Sequence, residues 1–139
     1  MSQARPDGVA ALSFIEVIAG AGTIVIGAYF LNAVNAIATS VGLGVASIPD
    51  FYTFFSVEIA MGALAIPAGY GLWTRKGWGW TLAVYLGVAV LVFSAGMGAY
   101  FLATYGDFTE TMAMLLPMVV SLGAVAYLDR QGPRSHFGK

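Results

Sequence analysis

Two glutamates, Glu16 and Glu58, each stand as the one charged residue within a long apolar run, and each opens the same pattern of small residues. Glu16 is followed by Gly20, Thr23 and Gly27, and Glu58 by Gly62, Ala65 and Gly69, at +4, +7 and +11 in both cases. At about 3.6 residues per turn, each set falls on one narrow helix face. An acid at a bilayer centre costs about 2.5–3.5 kcal/mol on insertion scales, so it faces a partner, water or a ligand. Glu58 and Glu16 are therefore the candidate proton- or cation-binding residues. Structural roles compete for both. Glu16 would be one turn deep and solvated if its helix enters the membrane near Leu12, assisted by the positive helix N-terminus. Glu58 could be a protonated or Ser/Thr-bonded carboxyl that stabilises packing.

Other chemistry is sparse. Cysteine is absent, which removes disulfides, thiolate metal sites and cysteine nucleophiles. The single histidine, His136, lies in a polar tail and cannot form the pairs expected of haem or transition-metal sites. No phosphate loop, Ser-His-Asp set or HExxH spacing occurs. The expectation is a protein without catalysis, metal or cofactor. A net charge of −1 gives no attraction to nucleic acid, so none is expected as a partner.

The elements that position the two acids follow from composition. The 139 residues are 59% apolar and 9% charged, where a soluble domain carries about 25% charged residues. A mean hydropathy of +0.82 agrees with a membrane protein. A spanning helix needs about 20 mostly apolar residues. Four stretches are predicted to be transmembrane helices, at about 9–34, 51–73, 80–104 and 111–128, in one domain over 1–139 with a polar tail at 129–139. The first run is far longer than the roughly 7–15 apolar residues of a signal peptide and is expected to be a retained helix. The stretch "AVNAIATSVGLGVASIPD" (33–50) is expected to extend that helix and then form an outer loop.

All six basic residues fall on one side of this threading: Arg5, Arg75, Lys76, Arg130, Arg134 and Lys139. The opposite loops carry Asp50, Asp107 and Glu110. Basic residues are retained on the cytoplasmic side of short loops, so both termini are expected inside, in a multi-pass protein of the cell membrane. Trp73, Trp78 and Trp80, with Arg75 and Lys76, are expected to anchor the inner interface, and Tyr29 and Tyr100 the outer one.

Membrane helices rely on small residues for close approach. Gly20, Gly27, Gly62, Gly69, Gly96 and Gly98 are the predicted packing positions, with Gly87, Ser94, Ser121 and Gly123 supplementing them. Met61, Met97, Met112, Met114 and Met118 read as core filler. Pro67 and Pro117 each remove a helical hydrogen bond and can kink or hinge a helix, although neighbours often satisfy the freed carbonyl. The five letters GAYFL occur twice, at 27–31 and 98–102. Both copies end an outward-running helix and precede a proline-containing return helix, a hint of two related hairpins.

"YGLWTRKGWGWTLAVYLG" (70–87) resembles the second-to-third-helix hairpin of small four-helix prokaryotic membrane proteins that carry a GLW-then-WGW turn. That resemblance implies architecture and assigns no activity. "ALSFIEVIAG" (11–20) is similar to the first helix of small multidrug resistance transporters, which implies that Glu16 would bind protons and cationic drugs in turn. The chain departs from that family in its length, its second membrane acid and its one-sided basic residues.

Three functions are consistent with these features. The leading expectation is a non-catalytic integral membrane subunit or scaffold, packing with membrane lipids into a homo-oligomer or with other membrane subunits. The alternative is a proton-coupled transporter of a small solute or cation using Glu58 and Glu16. The third is a lipid- or quinone-binding membrane protein.

Overall fold

Side chains that are apolar all round suit helices bathed in lipid, where every backbone group must be paired within its own segment. A computed structural model describes residues 7–42, 49–106, 108–130, 135 and 137. Four helices follow in order: α1 (Asp7–Ser40), α2 (Pro49–Trp73), α3 (Gly77–Tyr105) and α4 (Phe108–Leu128). Three are long and apolar enough to cross a membrane, over Gly8–Ser40, Asp50–Trp73 and Gly77–Thr104.

The expected fourth span is present as a helix and is not one of these three. Among the described residues the apolar stretch of α4 is Met114–Leu128, within a helix of 21 residues, Phe108–Leu128. Thr109, Glu110 and Thr111 make its start polar. α1 continues past Val34 to Ser40, the extension expected of the stretch 33–50. Its polar residues bond back onto the helix: Asn32 Nδ2 donates to the Ala28 carbonyl at 2.9 Å, Thr39 Oγ1 to Asn35 at 2.8 Å and Ser40 Oγ to Ile37 at 2.7 Å. These polar side chains are thereby satisfied inside the helix extension.

α1 packs on α2, α2 on α3 and α3 on α4. The antiparallel α1–α2 crossing is set by glycine. A Cβ on Gly20 would stand 2.6 Å from the Gly62 carbonyl oxygen, and one on Gly62 would stand 2.7 Å from that of Gly20. A turn or two to either side, a Cβ on Gly69 would meet the Ser13 carbonyl oxygen at 2.6 Å, and one on Gly27 would meet Ile59 Cγ1 at 2.7 Å.

At the end where α1 begins and α4 finishes, all four helices converge. Val9, Leu12, Ala68, Leu72, Ala83, Leu128 and Phe137 form one buried cluster. Gly71 of α2 and Gly79 of α3 meet backbone to backbone, with no room for a side chain on either. The Trp80 Nε1–H donates to the Leu128 carbonyl at 3.0 Å, pairing one of the acceptors that a helix C-terminus leaves free. The connecting turn is a Schellman cap: Lys76 N–H donates to the Gly71 carbonyl at 2.9 Å and Arg75 N–H to Leu72 at 3.3 Å. Arg75 occupies the left-handed position, at φ 58°.

The opposite end is held by rings. Phe54 and Phe55 of α2 each receive one phenylalanine of a GAYFL copy. Phe30 stacks on Phe55 at 5.3 Å between centroids, and Phe101 meets Phe54 edge-on at 6.0 Å. The Tyr100 hydroxyl donates to Asp50 Oδ2 at 2.7 Å. The outer surface is rich in exposed aliphatic side chains such as Ile18, Val25, Val92 and Val119.

A candidate binding cleft between the helices

Between the sealed end and the ring cluster, the bundle encloses a cleft of about 330 Å³ lined by all four helices. Glu16, Gly20 and Thr23 of α1 and Glu58, Met61 and Gly62 of α2 form one wall. Leu86, Val90, Phe93 and Ser94 of α3 face them, and Pro117, Val120 and Ser121 of α4 complete the lining. The shared pattern of acid and small residues thus places both carboxyls in one apolar space. Both glutamates are half-buried. Among the described residues, neither carboxyl has a hydrogen bond or an ion pair.

Register fixes their spacing. Because Gly20 faces Gly62 and Ser13 faces Gly69, Glu16 lies near the level of Ile66, and Glu58 near that of Ile24. The two acids are therefore about 12 Å apart along the helix axes, by 1.5 Å rise per residue. They are two separate stations, too distant to share a proton as a carboxyl dyad does. A Cβ on Gly62 would stand 3.2 Å from Thr23 Cβ, which puts Thr23 close to the Glu58 level. Phe54 stacks on Phe93 at 5.5 Å and Gly71 meets Gly79, which places Ser94 within about a turn of that level on the opposite wall. Gly87 faces Val125 and lies 3.7 Å, from its would-be Cβ, to the Ser121 carbonyl oxygen. Ser121 consequently sits between the two carboxyl levels.

The cleft opens sideways. α1 and α4 touch at the sealed end, where Gly8 meets Tyr127, but make no extended contact among the described residues. Ile15 and Val120 line the cleft yet are each 50% exposed, and Leu116 is 71% exposed. The opening faces the surface that lipid chains would cover.

Of the remaining sequence-predicted residues, Gly20, Gly27, Gly62 and Gly69 sit at the α1–α2 contact, and Gly98 is buried. Gly96 is exposed, and among the described residues nothing stands within 4 Å of a Cβ there. Trp73 and Trp78 are exposed at the sealed end with Arg75 and Lys76, Trp73 edge-on to Phe14 at 5.0 Å. Trp80 is partly buried through its bond to α4. Tyr29 and Tyr100 are exposed at the ring-cluster end.

The Gly71–Gly79 contact lies outside the packing positions predicted from sequence. Ser94 and Ser121 read there as small packing residues, and nothing in their spacing distinguished a hydroxyl facing a cleft from one facing a helix. Among the described residues, no group of three or more His, Cys, Asp or Glu is placed to hold a metal. No family model, no curated protein and no solved structure matches the chain, so function is read from this geometry.

Proposed function

We propose that the protein is an integral membrane carrier of a small solute or cation, coupled to protons taken up and released by Glu58 and Glu16. The observation that carries this reading is the placement of both unpaired carboxyls on one apolar, sideways-open cleft. A carboxyl in such a space holds a proton or a cation, and exchanging one for the other moves both without building up buried charge. Two stations about 12 Å apart let the exchange occur at different depths. In the bilayer, the four helices form a multi-pass bundle with both termini cytoplasmic. Arg75, Lys76 and Arg130 then lie inside and Asp50 outside. The two hairpins, α1–α2 and α3–α4, are read as related, since each GAYFL copy buries its glycine and directs its phenylalanine onto α2.

A packing subunit is the second reading, favoured by exposed Gly96 and Gly123, where a Cβ would meet nothing. A partner helix could approach closely there. It leaves the cleft and its acids without a role, which is why it ranks second. Cation uptake into proteoliposomes under an imposed proton gradient separates the two. Uptake that collapses in Glu58→Gln and falls in Glu16→Gln supports the carrier; uptake unchanged in Glu58→Gln rejects it.

A further inference from the structure

Among the described serines and threonines that are buried or half-buried, those lining the cleft differ from the rest. Ser13 Oγ donates to the Val9 carbonyl at 2.6 Å, Thr81 Oγ1 to Gly77 at 3.1 Å and Thr74 Oγ1 to Tyr70 at 2.9 Å. This back-bonding is the usual way a helix satisfies Ser and Thr. Thr23, Ser94 and Ser121, which all line the cleft, have no such bond among the described residues. Ser94 is the most telling, being 3% exposed. A buried polar group without a partner is costly and calls for an explanation in the form of a ligand, water or ion.

We infer that the cargo is a primary ammonium on an apolar body, gripped jointly by the Glu58 carboxylate and the unpaired Ser94 hydroxyl. The inference rests on the carrier reading for its transport and on the cleft alone for its chemistry. A bare inorganic cation asks for about six oxygen ligands in a shell. The Glu58 level offers one carboxyl and the hydroxyls of Thr23 and Ser94, between walls of Met61, Val90 and Phe93. An organic cation suits that inventory better. One N–H donates to the carboxylate, a second to Ser94 Oγ, and the Phe93 ring lies beside the charge as a cation–π surface. The apolar body fills the rest of a space whose volume, about 330 Å³, suits one small ligand. A quaternary ammonium satisfies the carboxylate's charge but has no N–H to give, and leaves the serine unpaired. Sites built to bond a donor reject analogues that lack it far more strongly than apolar pockets reject a change in size. Ser94 is accordingly a specificity-determining residue.

The ammonium could arrive as a free amine or as the headgroup of phosphatidylethanolamine, whose fully methylated counterpart is phosphatidylcholine. The test is a pair of binding titrations on purified, monodisperse protein in phosphatidylcholine nanodiscs, with phenethylammonium and its N,N,N-trimethyl derivative, alongside uptake of both into proteoliposomes. Wild-type protein is expected to bind the primary amine at least about tenfold more tightly. Ser94→Ala should bring that ratio close to one by weakening the primary amine alone, and Glu58→Gln should abolish binding of both. Equal affinities in the wild type overturn the inference even if Ser94→Ala does not fold, as does a ratio that survives Ser94→Ala. Discriminating binding without uptake upholds the inference and rejects the carrier; Glu58-dependent uptake without discrimination does the reverse. Absence of binding rejects the inference. Repeating the titration with phosphatidylethanolamine in the nanodisc identifies the source: competition assigns the ammonium to lipid, and its absence assigns it to a free amine, with the primary-ammonium class upheld in either case.

Discussion

The two halves of the bundle use the same residue types to opposite ends. At the sealed end, glycine brings backbones together: Gly71 and Gly79 touch, Leu72 and Leu128 are almost fully buried, and the Trp80 N–H finds a carbonyl. Around the cleft, glycine again joins α1 to α2, yet α3 and α4 stand off and leave about 330 Å³ faced by two carboxyls and three unbonded hydroxyls. Membrane helices gain little from burying apolar surface against one another, because lipid chains are as apolar as leucine. Cohesion must come from close packing and hydrogen bonds, and at the sealed end these join all four helices. Between that end and the ring cluster the bundle remains open, and the polar groups lining the cleft are left for something other than the fold.

That contrast can be broken most forcefully at Gly79. Gly79→Leu drives a side chain into the α2 backbone and is expected to cost about 3 kcal/mol or more, at the upper end of overpacking penalties. Gly96→Leu enters open space and should change stability by no more than about 0.5 kcal/mol. Thermal unfolding in detergent, followed by circular dichroism and size-exclusion chromatography, compares the two. Similar losses at both positions would mean that the ends are not packed differently.

A smaller effect is expected at Trp80. Trp80→Phe keeps most of the ring but removes the N–H that pairs with Leu128, and should lower stability by about 1 kcal/mol. The sequence marked Trp80 as an interfacial anchor and not as a bond to α4, whereas the alignment of each acid with its glycines was legible. The α1–α2 contact through Gly20 and Gly62 follows from that alignment, and four helices follow from the runs between polar turns. The partners of α3 and α4 were not legible. Both are apolar around their whole circumference, so no pattern marks which face meets a helix, the cleft or lipid. For the same reason Ser94 could not be told from a packing serine, and the residue at which the extension of α1 gives way to a loop was not marked.

The smallest effect sharpens the contrast from the turn. Arg75 holds a left-handed conformation, at φ 58°, that glycine adopts without penalty. Arg75→Gly is expected to raise stability by up to about 1 kcal/mol, while uptake through the distant cleft stays unchanged. A fall in stability would show that the arginine side chain holds the sealed end more firmly than its backbone strains it.

The central claim is that the cleft, and not the sealed end, is the binding site. Because the chain has no cysteine, single substitutions report on each region directly. Ser121→Cys, in the cleft wall, and Ala83→Cys, in the buried cluster, can be treated with N-ethylmaleimide in proteoliposomes, with and without phenethylammonium. Ser121→Cys should react and be protected by the amine, with protection lost when Glu58→Gln is added, while Ala83→Cys stays inert. Labelling of Ser121→Cys that the amine leaves unchanged would contradict the claim.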